Sequence, residues 1–286
     1  MYTQYQPPHE LTDFLESIWI YDPARAPGPA SQSVVDNPGV AELVVQLGDK
    51  FRRYRKHDIA WIPRAALIGF MTRPCLVGPS GPVKTLGIRF RPGGVKVYSR
   101  VPGRLLANTI VDAWDVIDKR LLRSLLRIHE LSSDEAIIHH IRAALIGCAA
   151  DTPPETSAVR HFIGSLRPRF EESIAGFCRQ SGISHRKLER QFNELVGVTP
   201  SSYARVQRFR CVLRRSVSDA HVRWIDMAAD LGYADQAHLS REFKQFTGFS
   251  PTEYHKRTYH FSLEENSGLS SNRPLLAYSA GSVILF

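Results

Sequence analysis

The amino-acid sequence predicts a two-domain α+β protein, in which a β-rich N-terminal domain precedes an all-α C-terminal domain. Short apolar runs separated by Pro and Gly fill residues 1–115, which is typical of strands joined by turns. Beyond Asp112 the apolar residues recur at helical spacing, and one helical pattern occurs twice in the last third of the chain. The length of 286 residues exceeds that of most single domains, and 43% hydrophobic residues suffice for packed cores.

The predicted strands follow one another at short intervals through the N-terminal domain. Turn signals lie between them, as at Asn37-Pro38-Gly39 and Arg91-Pro92-Gly93-Gly94. The predicted strands are Ser17–Tyr21, Val40–Leu47, Ile59–Ile62, Ala65–Phe70 and Leu86–Phe90. Short strands with this punctuation favour a cupin-like barrel or a sandwich. A short helix over residues 10–18 is an alternative.

Helices are predicted after the strands. Apolar residues between Ile117 and Ile128 follow helical spacing, and a second helix is predicted within Ser133–Ala150, where Asp134 and Glu135 suit a first turn. These helices either form a coiled-coil-like dimer interface or pack on the barrel. The Pro153-Pro154 pair interrupts helix and marks a linker. We therefore predict a β-rich sensing or dimerisation domain with C-terminal helices at 1–150, a linker at 151–157, a helical domain at 158–260 and a tail at 261–286.

The duplicated pattern in the helical domain reads L-x3-F-x4-G-x2-P-x2-Y, and its two copies are offset by 51 residues. The first copy is Leu188, Phe192, Gly197, Pro200 and Tyr203, and the second is Leu239, Phe243, Gly248, Pro251 and Tyr254. Five matched positions with four matched gaps indicate a repeated structural unit.

The first copy has the local chemistry of two short helices joined by a glycine turn. Ile174 and Phe177 mark the first helix, and Gly182 permits the turn. Ser184 is a good N-cap for the second helix, and a glycine ends it.

The second copy repeats this chemistry. Ile225, Ala228 and Leu231 mark its first helix, Gly232 makes the turn and Asp235 caps the second helix. Two short helices joined in this way are the sequence form of a helix-turn-helix unit. The alternative is a pair of helical hairpins that only pack together, as in a solenoid.

Residues 182–203 and 232–257 resemble the first and second helix-turn-helix of the AraC family of transcription regulators. The resemblance covers about residues 160–258. It implies that a longer helix joins the two units, and the arginine-rich stretch Ser201–Val217 falls at that position. It also implies that each recognition helix enters the major groove of double-stranded DNA, on one face of the duplex. RNA polymerase is expected as a further partner, and activation as the mode of regulation.

The outward side chains at the start of each recognition helix are expected to read base edges. The resemblance places base contacts at Arg186, Glu189 and Arg190, and at the equivalent Gln236, Ala237 and Arg241. Arg pairs with guanine, Glu with cytosine and Gln with adenine, whereas Ala reaches only a thymine methyl group. Phosphate contacts, or simply a solvated surface, are expected at His185, Lys187, His238, Ser240 and Lys244. The formal net charge of +9 suits a polyanionic partner.

The arginines of the joining stretch, which are Arg205, Arg208, Arg210, Arg214 and Arg215, have no acidic residue among them. Long-range attraction to DNA could come from four of them, Arg205, Arg208, Arg214 and Arg215, although some must pair with carboxylates or face solvent.

The resemblance implies that the N-terminal domain binds a small-molecule effector, forms a homodimer, or does both, since such domains in the family commonly sense a small molecule or dimerise. Segments such as Gly69–Pro74 and Gly87–Gly94 resemble the N-terminal domain of one AraC-type subgroup. Candidate ligand-facing residues are Trp19, Trp61, Arg73, Arg89 and Arg91. The competing interpretation, which we favour, places the two tryptophans in the core and the arginines on the surface.

Enzyme signatures such as a GxxxxGK[ST] loop, a G-x-S-x-G elbow or H-E-x-x-H do not occur in the sequence. We expect no enzymatic activity, no cofactor, no metal, no secretory signal and no membrane span, and a cytoplasmic protein with reduced cysteines. One alternative is a DNA repair methyltransferase joined to the same helical pair. That chemistry needs an activated Cys in a Pro-Cys-His-like context, and Pro74-Cys75-Leu76 lacks the His.

Overall fold

A computed structural model of the chain describes residues 2–22, 34–35, 39–55, 58–73, 75–131, 133–150, 155–166, 174–218 and 222–255. A β-rich N-terminal region with its own helices precedes a helical C-terminal region, which confirms the predicted fold class. The predicted tail at 261–286 and residues 151–154 of the predicted linker lie outside the described residues.

The strands of the β-rich region form two antiparallel sheets. They are β1 Tyr2–Tyr5, β2 Leu15–Tyr21, β3 Val34–Val35, β4 Ala41–Gln46, β5 Phe51–Arg55, β6 Asp58–Trp61, β7 Ala65–Ile68, β8 Leu76–Pro79, β9 Thr85–Phe90 and β10 Ile110–Asp112. The larger sheet has the order β1-β2-β9-β4-β7-β10, and the smaller has the order β3-β8-β5-β6.

The centre of the larger sheet carries the core of this region. Ile18 pairs with Ile88, which pairs with Leu43, which pairs with Leu67, so that four fully buried side chains form one row across four strands. Because side chains alternate along a strand, this row faces one side of the sheet only. The helices of the β-rich region cover that side.

Those helices are α1 Gly103–Leu106, α2 Ala113–Val116, α3 Lys119–Leu126 and α4 Asp134–Gly147. Their apolar side chains, including the fully buried Leu121, Leu125 and Ile141, belong to the same core as the sheet row. Of the two alternatives for these helices, the structure therefore supports packing on the strands rather than a coiled-coil-like dimer interface. Ser133 caps α4 by accepting a hydrogen bond from the amide of Ala136 at 3.1 Å.

All five predicted strands are present, with ends shifted by a few residues. The alternative helix at 10–18 is wrong except for one short 3₁₀ turn at His9–Leu11, because β2 already begins at Leu15. The sequence analysis missed β1, β3, β5, β8 and β10. Basic residues interrupt the apolar pattern of the Phe51–Arg55 segment, and β3 has only two residues, so that no pattern is visible there. Pairing with a neighbouring strand supplies what the local pattern lacks.

The helical region contains α5 Ser157–Ser165, α6 Ile174–Ser181, α7 His185–Leu195, α8 Pro200–Ser218, α9 Trp224–Asp230, α10 Gln236–Thr247 and a last helix at 251–255. Among the buried residues that the structure describes, its core is separate from that of the sheet except at one position. Phe70, which follows β7, is buried in the helical core, and its ring lies 5.4 Å from that of Tyr203.

The two regions meet backbone against backbone. A Cβ atom on Gly103 would lie 2.7 Å from the amide nitrogen of Gly197, and one on Gly197 would collide with the carbonyl oxygen of Gly103. Around this contact, Glu194 accepts ion pairs from Lys96 at 3.0 Å and from Arg104 at 3.3 Å. The start of α1 therefore abuts the end of α7, and only glycine fits on either side.

Candidate nucleic-acid interface

The first helical pair consists of α6 and α7. Gly182 lies in the turn with φ of +69°, a left-handed conformation that glycine adopts without steric cost. Ser184 caps α7 by accepting a hydrogen bond from the amide of Lys187 at 3.3 Å. One face of α7, formed by Leu188, Phe192 and Leu195, is buried in the helical core. The opposite face of α7 is left for solvent or a ligand.

The second helical pair, α9 and α10, has the same construction. Gly232 lies in the turn with φ of +70°, and the carboxylate of Asp235 caps α10 through the amide of His238 at 2.6 Å. Leu239, Phe243 and Phe246 are buried. Ile225, which we expected to mark the buried face of α9, is instead 59% exposed. Met227 is buried in its place, so the buried face of α9 is turned around the helix axis relative to the predicted one.

The repeated sequence pattern is explained by repeated contacts. Its Leu and Phe are buried in each recognition helix, and its Gly has a positive φ where the helix ends. Its Pro opens the next helix, and its Tyr packs on the Phe of the same copy. The ring centroids of Phe192 and Tyr203 lie 5.6 Å apart, and those of Phe243 and Tyr254 lie 5.1 Å apart. The two copies are therefore the same structural unit, with the same side chains packed against each other in each.

Most of the predicted DNA-contacting side chains are exposed. The exposed set is His185, Arg186, Lys187, Arg190, Gln236, Ala237, Arg241 and Lys244, whereas Glu189, His238 and Ser240 are partly buried. All of them lie on α7 or α10. Each recognition helix thus presents a polar surface on the side away from its buried stripe.

Three of the predicted residues, His185, Glu189 and His238, have partners inside the protein. His185 lies 3.7 Å from the carboxylate of Glu189, one turn along α7. The ring of His238 packs edge-on against Tyr233, and its Nδ1 accepts a hydrogen bond from the amide of Ala234 at 3.4 Å. His238 therefore stabilises the turn before α10.

The arginines of α8 bind carboxylates of the second pair. Nε of Arg205 lies 2.7 Å from Oε1 of the buried Glu242, and Nη2 of Arg208 lies 3.3 Å from Oε2. Arg208 also lies over the ring of Tyr233, 4.2 Å from its centroid. Arg215 pairs with Asp230 on α9 at 3.1 Å. These contacts fix the second pair against α8, so three of the five arginines have a role in the fold.

Glu242 is the residue of this arrangement that the sequence analysis missed. It lies three residues after Leu239 and beside Phe243, which places it at the edge of the buried stripe of α10. A carboxylate in that position needs a cationic partner, and the arginine-rich stretch was the available signal.

The predicted ligand-facing residues of the β-rich region do not lie together. Trp19 is buried and Arg73 is exposed. Trp61 is 56% exposed, with Arg52 lying 4.7 Å over its ring, so its assignment to the core is wrong. Arg89 is buried and pairs with Glu42 at 2.6 Å, which corrects its assignment to the surface. Arg91 is exposed at the mouth of a cavity between the two regions.

The methyltransferase alternative gains no support from the structure. The side chain of Cys75 is 3% exposed, so its thiol is not positioned to reach a methylated duplex. Within the described part of the chain, no group of three or more His, Cys, Asp or Glu side chains could hold a metal ion. None of the helices described is both long and apolar enough to cross a membrane.

Comparison with known proteins gives two family matches. Residues 177–257 match the helix-turn-helix domain family, and residues 3–112 match a domain of unknown function, DUF6597. The chain is 33% identical over 87 residues to YkgA, an HTH-type transcriptional regulator of Escherichia coli K12, which covers 30% of this chain and 36% of YkgA. It is 31% identical over 87 residues to RhaR, an HTH-type transcriptional activator of Yersinia pseudotuberculosis, covering 29% of each chain.

The matched segment thus spans about a third of the length of these curated relatives. Among solved structures, ToxT from Vibrio cholerae aligns over 84% of this chain and 97% of its own, with a TM-score of 0.47 and 11% identity.

Proposed function

We propose that this chain is a regulator of the AraC type, which controls transcription by binding specific sequences of double-stranded DNA through the segment 177–257 that matches the helix-turn-helix domain family. The observation that carries this proposal is the duplication of one packing unit, each copy of which exposes the polar side of its recognition helix. Relatives that match this segment are named as transcriptional regulators and activators. We infer activation as the mode of regulation, with RNA polymerase as a partner at the promoter.

The base-reading residues of the proposal are Arg186, Glu189 and Arg190 on α7, and Gln236, Ala237 and Arg241 on α10. Exposure of five of these side chains supports the assignment. Each good bidentate contact discriminates between bases by ~1–3 kcal/mol. Since Ala237 offers only a methyl group, we expect weaker direct reading by the second unit.

Phosphate contacts are proposed at His185, Lys187, His238, Ser240 and Lys244. Lys187 and Lys244 are the strongest of these, because both are exposed lysines. His238 contributes at most its Nε2, since its Nδ1 is bonded within the turn. Such contacts add affinity without sequence information.

The proposed site on DNA is asymmetric. Two different readers in one chain require two unequal half-sites, on one face of the duplex and about one helical turn, ~10 bp, apart. The ion pairs of α8 with Glu242 support a fixed spacing, because they hold α10 against the helix that joins the two units.

The β-rich region is proposed as the sensing or dimerisation domain, with domain limits at 1–150 and 158–260 and the linker between them. The separate cores of the two regions support this division. Exposed Ile59 and Trp61 on β6, an edge strand, support a homodimer through the smaller sheet. A small-molecule effector is the ligand that we expect the sensing domain to receive.

Selection of bound sequences from random DNA with the purified full chain tests the proposal. We expect enrichment of one asymmetric site with two conserved blocks ~10 bp apart. Retention of all sequences equally, at any salt concentration, would contradict it. Footprinting of the selected site then shows whether both protected patches lie on one face.

A further inference from the structure

A cavity of about 200 Å³ lies where the β-rich region meets the helical region, and we call it the interface cavity. Its apolar walls come from both sides, with Phe70 and Phe90 on one and Leu195 and Tyr203 on the other. It is smaller than the roughly 300–1,000 Å³ of drug-sized pockets, so it suits a small metabolite. Three aromatic rings in its wall favour a flat apolar ligand body.

The charges that line the interface cavity do not balance. Arg91 and Arg210 carry two positive charges, and Glu16 carries the one negative charge among the residues of its wall. Glu16 also lies 3.9 Å from the buried Arg89 behind the wall. Arg89 is itself held by Glu42 at 2.6 Å, so that pair is neutral. The cavity wall therefore has a net positive charge.

Arg210 is the less exposed of the two arginines in the cavity wall. Its Nη1 donates a hydrogen bond to Oε1 of Gln207 at 3.2 Å. Among the residues that the structure describes, no carboxylate lies within 4.0 Å of its guanidinium nitrogens. Burial lowers the pKa of Arg210, with Glu16 opposing that shift. Arginine nevertheless stays protonated in proteins, so the charge remains and needs a partner.

We propose that the interface cavity binds a small carboxylate with a flat apolar body, whose carboxylate pairs with Arg210 and whose body packs on Phe70, Phe90 and Tyr203. A planar guanidinium and a carboxylate match in geometry and make charge-assisted hydrogen bonds. This inference deepens the proposed function by giving the effector a site and a chemical class.

The position of the cavity gives binding a path to DNA recognition. Arg210 and Gln207 lie on α8, the helix that joins the two helix-turn-helix units, and Gln207 donates to the carbonyl oxygen of Gly39 in the β-rich region at 3.4 Å. A ligand held between the two regions contacts both and stiffens their junction. This regulatory consequence rests on the proposed function, whereas binding itself does not.

The first experiment is calorimetric titration of the full chain, without DNA, using phenylacetate as the probe. Phenethylamine and 2-phenylethanol have the same ring and chain but a positive or a neutral head group. We expect phenylacetate to bind at least roughly tenfold more tightly than either, as the loss of a charge-assisted hydrogen bond predicts. Equal binding of all three compounds, or no binding of phenylacetate up to millimolar concentration, would overturn the proposal.

Variants locate the site. Arg210→Gln should weaken phenylacetate binding at least roughly tenfold, Arg210→Lys should retain much of it, and Arg123→Gln, the same change on an exposed position of α3, should leave it unaltered. If Arg210→Gln does not fold, the comparison of Arg210→Lys with the three head groups remains decisive. Binding that is insensitive to both Arg210 variants contradicts the assignment.

DNA affinity is then measured separately on the selected sequence, with and without phenylacetate. A shift of threefold or more that Arg210→Gln abolishes supports the regulatory step, and an unchanged affinity with ligand bound contradicts it. Failure of the protein to select any DNA sequence would count against the proposed function alone, since the calorimetric result does not depend on DNA.

Discussion

At the residue scale, Arg190 is the sharpest test of base reading. It is exposed on α7, on the side opposite the buried Leu188 and Phe192. We expect Arg190→Ala to relax the preference at one base of one half-site by ~1–3 kcal/mol. Competition binding with single-base variants of the selected sequence measures this. Arg179→Ala, an exposed change on α6, is the control and should leave the preference as it was.

Arg214 tests the contribution of general attraction. It is exposed near the end of α8, where Nη2 donates to Sγ of Cys211 at 3.2 Å. We expect Arg214→Ala to weaken binding to all sequences alike and to reduce the slope of log affinity against log salt by ~1. Titrations of each variant with DNA at several salt concentrations show whether Arg190 and Arg214 contribute in these two different ways. If Arg190→Ala and Arg214→Ala lose affinity equally on every sequence, the division into readers and attractors is wrong.

Glu242 is the residue on which the position of the second unit depends. Its carboxylate is nearly fully buried between Arg205 and Arg208. Glu242→Gln leaves both arginines without their counter-ion, and because Arg205 is 43% exposed we expect the low end of the cost of breaking a buried pair, ~3 kcal/mol. Urea unfolding measures the loss. Asp226→Asn removes the exposed pair with Arg223 and should cost less than ~1 kcal/mol; similar losses for both variants would refute the argument.

At the scale of elements, two glycines allow the cost of a left-handed backbone to be measured apart from the cost of a steric clash. Gly182 and Gly197 both have positive φ, but a Cβ atom on Gly182 meets nothing within 4 Å, whereas one on Gly197 collides with Gly103. We expect Gly182→Ala to cost about 1 kcal/mol from backbone strain alone. Gly197→Ala should cost more and should increase hydrogen exchange in α1. Equal effects of the two changes on α1 would exclude the contact as their cause.

The sequence predicted the elements of the helical region well, because their signals are local. The caps at Ser184 and Asp235, the turn glycines and the repeated Leu and Phe are all found in the structure in the predicted roles. The side of α9 was mistaken at Ile225, since a seven-residue helix has too few apolar positions to define its face. The strand beginning at Phe51 was missed because basic residues interrupt its apolar pattern, and the strand beginning at Leu76 was missed because its pairing partners lie more than twenty positions away in sequence.

The candidate site was predictable to the level of its helices but not of its charges. Exposure of Arg186, Arg190 and Arg241 followed from the helical period. The pairing of Arg205 and Arg208 with Glu242 did not, because it joins residues more than thirty positions apart. Arg210 likewise gained its place in the interface cavity only from the docking of the β-rich region.

At the scale of the whole molecule, Phe70 couples the two regions. It belongs to the β-rich region by sequence but is 4% exposed within the helical core. We expect Phe70→Ala to lower the free energy of unfolding of the helical region by ~3 kcal/mol or more. Urea unfolding followed by far-UV circular dichroism gives the value. Ile146→Ala, at a position of α4 that is 46% exposed, should change stability by less than ~0.5 kcal/mol, and equal losses would deny Phe70 this coupling role.

The glycine contact between α1 and the end of α7 also limits how such a protein can be recombined. A hybrid that joins this β-rich region to another helical region keeps the contact only if that region also has glycine at the place of Gly197. Any side chain at that place would wedge the two halves apart, since the backbones already touch. Grafting of new operator specificity should therefore exchange the outward residues of α7 and α10 and preserve the native pair of glycines.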